Sequence, residues 1–197
     1  MPLSGADLNK PLCLVLAPTG VAAYIVNGST IESGLGIPPS AKYTYIKGEP
    51  SRNSSLSFIC GDIEYVFLDE ASMVSSNTLA IINLKLQDIK GNTKFMGGVS
   101  IICTGDFGQL PPIGNQMIWT PSTIDQRPGI APNYWNEFNI YYLTQKERSQ
   151  DTEYSDICDE VRIGNCDEKV KEYLNKCVRK CSSEDDNSAY TSGESSL

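Results

Sequence analysis

The sequence predicts an α/β fold, a mostly parallel sheet flanked by helices, on three observations. Short apolar runs recur at residues 12–16, 65–68 and 99–103, the first of them unbroken, the pattern of strands covered on both faces. The first run is stopped by Ala17-Pro18-Thr19-Gly20, a loop-forming cluster. Between the second and third runs, Leu79, Ile82, Leu86 and Ile89 recur at helical spacing, and strands that alternate with helices imply parallel pairing.

Taken in order, residues 12–16 form a core strand, and Val21-Ala22-Ala23-Tyr24 opens a short helix. Residues 34–57 are rich in Gly, Pro and Ser and read as a long surface excursion without assigned elements. After the strand at 65–68, Ser75 or Ser76 caps a helix that Gly91 ends. Residues 99–103 give a third strand and 140–143 a fourth. From Asp151 a helix carries Tyr154, Ile157, Cys158 and Val161 on one face and stops at Gly164; another from Asp167 carries Val170, Leu174 and Cys177. Residues 182–197 lack the large apolar side chains needed to offset chain entropy, which predicts a disordered acidic, Ser-rich tail. The expected organisation is a short lead at 1–11, one principal domain at 12–181, and that tail.

With 197 residues, 40% of them hydrophobic, the chain is long enough for one domain with a buried core. Its 16 basic and 24 acidic side chains leave a net charge of -8, so any contact with phosphate backbones must come from a local groove of amides and hydroxyls. No histidine is present, which removes the commonest general base and zinc ligand and the Ser-His and Cys-His nucleophile pairs. Seven cysteines are an odd number and fit a reducing intracellular compartment; Cys13, Cys103 and Cys158 sit in apolar runs and read as small core residues. Cys177 and Cys181 have a close spacing but no second pair or histidine, and read as two thiols near a helix end. No stretch has the length of a membrane-spanning helix, and no secretory signal opens the chain.

In open parallel sheets ligands bind beyond the carboxyl ends of the strands, where loops converge, and Thr19, Asp69 and Gln109 all fall at such ends. Asp69 is a hard oxygen ligand suited to Mg²⁺ through water, and adjacent Glu70 is placed to polarise a water that attacks a γ-phosphate. Simpler accounts stand beside these. An Asp-Glu pair after a strand often just faces water, Gln109 could satisfy loop carbonyls, Arg148 could be a solvated charge, and Thr19 could cap the following helix.

The segment Asp69-Glu70-Ala71-Ser72-Met73-Val74 is followed by Gly97-Gly98-Val99 leading into Gly105-Asp106-Phe107-Gly108-Gln109-Leu110-Pro111-Pro112. This ordered pair of motifs resembles the Pif1-like DNA helicases, in the superfamily 1 group that includes RecD-like enzymes. Ala17-Pro18-Thr19-Gly20-Val21-Ala22-Ala23 with Gly28-Ser29-Thr30-Ile31 resembles that family's first DNA-contacting segment. Leu143-Thr144 through Arg148 resembles its fourth motif, and Val161-Arg162-Ile163-Gly164-Asn165 the helical stretch closing its first motor domain. The resemblance implies a RecA-like P-loop NTPase fold and ATP hydrolysis coupled to unwinding of single-stranded or forked DNA. By it, Asp69 would ligand Mg²⁺, Glu70 would be the catalytic base, Gln109 would sense the γ-phosphate and Arg148 would stabilise transferred charge. Thr19, Gly20 and Thr30 would contact DNA. It further implies a nuclear or mitochondrial location and roles in repair, recombination and telomere maintenance.

Three features depart from that pattern. No glycine-rich run ending in Gly-Lys-Ser/Thr occurs, no second motor domain follows residue 181, and Glu32 stands where the family usually has a histidine. The expectation is therefore an incomplete RecA-like domain that binds ATP very weakly and is inactive alone, with an unfilled strand position exposing apolar surface. The alternative is a non-catalytic module that binds DNA or a full-length helicase.

Overall fold

The computed structural model describes residues 11–37, 60–114, 116–124, 132–145, 147 and 151–184, with side chains as far as residue 178. Met1–Ile140 and Tyr141–Leu197 form two compact units.

In the first unit, β1 (Cys13–Ala17), β2 (Ser29–Thr30), β3 (Tyr65–Leu68) and β4 (Ser100–Cys103) make one sheet in the order β2-β1-β3-β4. Every pairing is parallel, with Val15 opposite Phe67 and Phe67 opposite Ile102. Because side chains alternate along a strand, this register sorts the sheet into two faces. Leu14, Leu16, Val66, Leu68, Ile101 and Cys103 share the covered face, within or against the main core. That core is completed by Leu79, Ile82, Leu86 and Ile89 of helix α3 (Ser76–Lys90).

Sequence signals at both ends of α3 act as expected. The Ser75 hydroxyl accepts from the Thr78 amide at 3.0 Å, and Gly91 closes the helix at φ 61° in the left-handed region. A 3₁₀ turn, Phe95–Gly98, then lies against α3 and delivers the chain to β4. Buried Asn83 on α3 accepts from the Met96 amide at 2.7 Å. A Cβ on Gly97 would sit 2.5 Å from the Leu86 carbonyl oxygen, so only glycine permits this approach.

The opposite sheet face is open. Tyr65, Phe67 and Ile102 are 45%, 40% and 42% exposed, and Cys13 beside them is exposed as well. This corrects the expectation that Cys13 is a core residue. It lies on the apolar-looking strand but faces the uncovered side, a distinction invisible in an unbroken apolar run. Cys103, on the covered side, is half-buried, and burial pushes its thiol up to about 12.

Two short helices follow β1 and β2: α1 (Gly20–Ile25) and α2 (Ile31–Gly34). Neither β2 nor α2 was expected, since two strand residues and four helical ones leave no periodic signal. The strand expected at 140–143 does not form. Ile140, Tyr141, Tyr142 and Leu143 are 52–98% exposed and extend no ladder. Their β-branched and aromatic character is a propensity that no neighbouring edge converts into pairing.

In the second unit, α4 (Thr152–Arg162) is capped by the Asp151 carboxylate, which accepts from the Tyr154 amide at 3.0 Å. Helix α5 (Glu168–Glu184) starts where the Asp167 carboxylate accepts from the Val170 amide at 3.0 Å. Only Ile157 and Val170 of the apolar positions expected on the inner faces are buried; Tyr154, Cys158, Val161, Leu174 and Cys177 are exposed. Cys158 is thus a second correction to the expected core cysteines. Residues 182–184 are helical, whereas a tail was expected from 182; residues 185–197 lie outside the described residues, as do 1–10 and 38–59. Among the described residues no helix is long and apolar enough to cross a membrane.

Candidate nucleotide and nucleic-acid site

The carboxyl ends of β1, β3 and β4 interlock through their backbones. The Asp69 amide donates to the Leu16 carbonyl at 2.9 Å, the Thr104 amide to Leu68 at 2.9 Å, and the Ala71 amide back to Thr104 at 2.9 Å. Gly105 fits into this weave because a Cβ there would sit 2.9 Å from the Ala71 nitrogen. The loops after β3 and β4 therefore leave the sheet side by side.

That placement joins Asp69 to Thr104. The Thr104 hydroxyl donates to Asp69 Oδ1 at 2.6 Å, a short bond of the charge-assisted kind. An ionised carboxylate accepts at two oxygens with about four lone-pair sites, so one hydrogen bond leaves Asp69 able to face a hydrated cation. Mg²⁺ is commonly held by one or two carboxylates and keeps several of its waters, so Asp69 fits that ion.

Glu70 follows with φ 52° and ψ 43°, the left-handed region that a side chain with a Cβ rarely adopts. Such a residue costs about 1–3 kcal/mol, and strain of this type concentrates where a side chain must be re-aimed. Glu70 opens the 3₁₀ turn Ala71–Met73 and is half-buried. Within the turn the Ser72 hydroxyl is buried without a hydrogen-bond partner among the described residues.

Gln109 sits at the end of the loop that Thr104 begins. Its side-chain Nε2 donates to Asp106 Oδ2 at 3.2 Å, while the Gly108 amide donates to Asp106 Oδ1 at 2.9 Å. Phe107, between them, packs edge-on against Trp119 and Trp135 with ring centroids 5.2 and 5.4 Å away. An aromatic anchor and a carboxylate thus hold the turn that carries Gln109.

Thr19 and Thr30 both cap short helices: the Thr19 hydroxyl accepts from the Ala22 amide at 3.2 Å and the Thr30 hydroxyl from Ser33 at 3.2 Å. Each hydroxyl keeps its own O–H as a donor. Gly20 is exposed, and a Cβ built on it meets nothing within 4 Å. Arg148 lies outside the described residues.

Sequence reasoning singled out Asp69, Glu70 and Gln109 but gave Thr104 and Asp106 no role. The pairing of Leu68 with Cys103 is what sets residues 69 and 104 side by side, and register is a property of the folded sheet. A weaker signal existed: an acid shortly after a strand and three residues before a glutamine can close an Asx-type turn on it.

The model for the PIF1-like helicase family matches residues 7–177. The ATP-dependent DNA helicase Pif1 of Bdellovibrio bacteriovorus is 31% identical over 172 residues, 84% of this chain and 37% of that protein. The chain thus spans little more than a third of that relative's length. A crystal structure of Pif1 helicase from Candida albicans matches with a TM-score of 0.65 at 23% identity, covering 83% of this chain and 36% of that one. A structure describing DNA unwinding at forked double-stranded DNA by two coordinating Pif1 helicases matches with a TM-score of 0.63 at 26% identity, covering 85% and 41%. The parallel sheet with flanking helices is that of a RecA-like domain, and the chain belongs to the PIF1-like helicase family.

Proposed function

We propose that this chain handles the metal and the attacking water in a motor that couples ATP hydrolysis to unwinding of DNA, on single-stranded or forked substrates. Asp69 holds Mg²⁺ through water, Glu70 takes the proton of the attacking water, and Gln109 senses the γ-phosphate. Arg148 offsets the charge that builds on the transferred group. The ion that Asp69 would hold would supply positive charge to offset that of the phosphates. Residues 12–181 act as the motor domain.

One observation carries the reading: Asp69, strained Glu70 and the loop from Thr104 to Gln109 leave adjacent parallel strands at one rim. Thr19, Gly20 and Thr30 contact the DNA backbone, a role supported by the open space before Gly20 and the spare hydroxyl donors. A nuclear or mitochondrial site of action, in genome maintenance, belongs to the same reading and rests on resemblance.

A second reading is favoured by one fact, that the 197 residues contain no glycine-rich run ending in Gly-Lys-Ser/Thr. In that case the chain binds DNA or a full-length helicase without turning over ATP. Hydrolysis at millimolar Mg·ATP with single-stranded DNA separates the two. On the motor reading any turnover by these residues alone is very slow, and Glu70→Gln lowers it by ~100-fold or more with DNA affinity unchanged. Turnover indifferent to that substitution contradicts the role of Glu70, and retained DNA binding with no Mg·ATP binding even at millimolar concentration favours the module.

A further inference from the structure

We propose that Asp106 is a positioning residue that fixes which polar atom of the Gln109 side chain faces the nucleotide, an inference that rests on the phosphate-sensing role given to Gln109 above. A glutamine amide has nearly the same shape in its two flipped orientations, but one presents an acceptor where the other presents a donor. Something must choose between them. Asp106 Oδ2 lies 3.2 Å from the Gln109 amide nitrogen, and an ionised carboxylate only accepts. The NH₂ group must face Asp106, since the reverse orientation sets oxygen against oxygen. Oε1 is thereby turned away, as an acceptor for a proton of the water aligned on the γ-phosphate.

The rest of the loop keeps Asp106 from drifting. Its Oδ1 accepts from the Gly108 amide at 2.9 Å, and its carbonyl accepts from the Gln109 amide at 2.9 Å. The Phe107 ring between Trp119 and Trp135 anchors the same turn. At the loop's start, the Thr104 hydroxyl bonds Asp69 at 2.6 Å, so the turn is referenced to the acidic pair.

Asp106→Asn keeps an oxygen for the Gly108 amide and sets an NH₂ against Gln109, which inverts the Gln109 amide and directs its donor outward. Pairing it with Gln109→Glu restores an acceptor on both sides: the new carboxylate accepts from the amide introduced at position 106 and still offers oxygen to the water. Gln109→Glu alone sets two carboxylates together.

The test uses the full 197-residue chain, with two readouts. In NMR spectra of the side-chain amides, the Gln109 NH₂ protons of the wild type exchange with solvent ~5-fold or more slowly than a free glutamine amide, a protection that Asp106→Asn and Asp106→Ser both abolish. Protection unchanged in a folded variant overturns the proposal. If Asp106→Asn fails to fold, Asp106→Ser, which keeps an acceptor for Gly108, decides alone. In hydrolysis at millimolar Mg·ATP, each single variant falls ~10-fold or more, and the double variant recovers most of that loss. A double variant no better than the worse single overturns the orienting role, because a purely structural Asp106 is not rescued by changing its partner. Turnover that Glu70→Gln leaves unchanged counts against the motor reading instead, whereas a wild-type chain without turnover, as expected of residues that bind ATP weakly, leaves the NMR readout to decide the role of Asp106 by itself.

Discussion

Thr104 and Asp69 are neighbours only because two parallel strands end in step, and the 2.6 Å bond between them holds one carboxylate oxygen in place. Thr104→Val keeps the shape and removes the donor. Partners that orient a metal ligand typically contribute about 10–100-fold to metal affinity, so affinity for the Mg²⁺ surrogate Mn²⁺ in the presence of ATP should drop ~10-fold, with the unfolding midpoint little changed. The cysteines give a second test at this scale. Burial pushes the Cys103 thiol up to about 12, against an ordinary 9.0. At about pH 8, therefore, a thiol reagent should modify exposed Cys13 in the native chain and Cys103 only on unfolding. Since the folded state holds the Cys103 proton more tightly, its contribution to stability is complete below about pH 9 and declines as pH rises toward 12. Urea midpoints at about pH 8 and about pH 10 measure this. Asp69 and Glu70 were legible because acids after an apolar run stand out. Thr104 and Asp106 were not, because their partners are set by strand register and turn closure.

At the scale of elements, helix α3 was readable from its pattern alone. Ser75, the four apolar positions and Gly91 all agree on one helix, and local agreement of this kind is what makes a segment predictable. Ser75→Ala should cost about 1 kcal/mol by leaving the first turn uncapped, read from denaturant midpoints. Gly97→Ala should cost more, since its methyl meets the Leu86 carbonyl at 2.5 Å from a φ of 65°. Residues 140–143 show the opposite situation, a strong strand composition that forms no strand. Strand β4 ends the sheet order among the described residues, and this has a measurable signature. The Ser100 and Thr104 amides donate toward β3, to Glu64 and Leu68 at 3.0 and 2.9 Å. By the two-residue alternation of a strand, Ile102 joins them while Ile101 and Cys103 face outward. Hydrogen exchange should alternate accordingly, fast at 101 and 103 and slow at 100, 102 and 104. Uniform protection along β4 would mean that its outer edge is paired.

Across the whole molecule, the sheet has one face closed by α3 and another carrying half-exposed Tyr65, Phe67 and Ile102. The identity of the exposed side chains on that face needed the strand register, which an apolar run does not reveal. An uncovered apolar face favours association, so Phe67→Thr should shift sedimentation toward monomer at high concentration. The charge of -8 acts at the same scale. Glu32, two residues beyond Thr30, opposes approach of phosphate, and Glu32→Gln should strengthen DNA binding several-fold at low salt. The gain should fade as salt rises. Without a lysine loop to neutralise the phosphates, the affinity of these 197 residues for ATP should be weak, and a micromolar titration would contradict that.

In the proposed function, a divalent ion with nucleotide sits at the rim formed by Asp69, Glu70 and the loop from Thr104 to Gln109. Paramagnetic broadening of backbone amides by Mn²⁺ with millimolar ATP tests it even when binding is weak. Broadening should centre on residues 69–72 and 104–109 and disappear in Asp69→Asn. Broadening centred instead on the acidic residues beyond 150, or unaffected by that substitution, would contradict it.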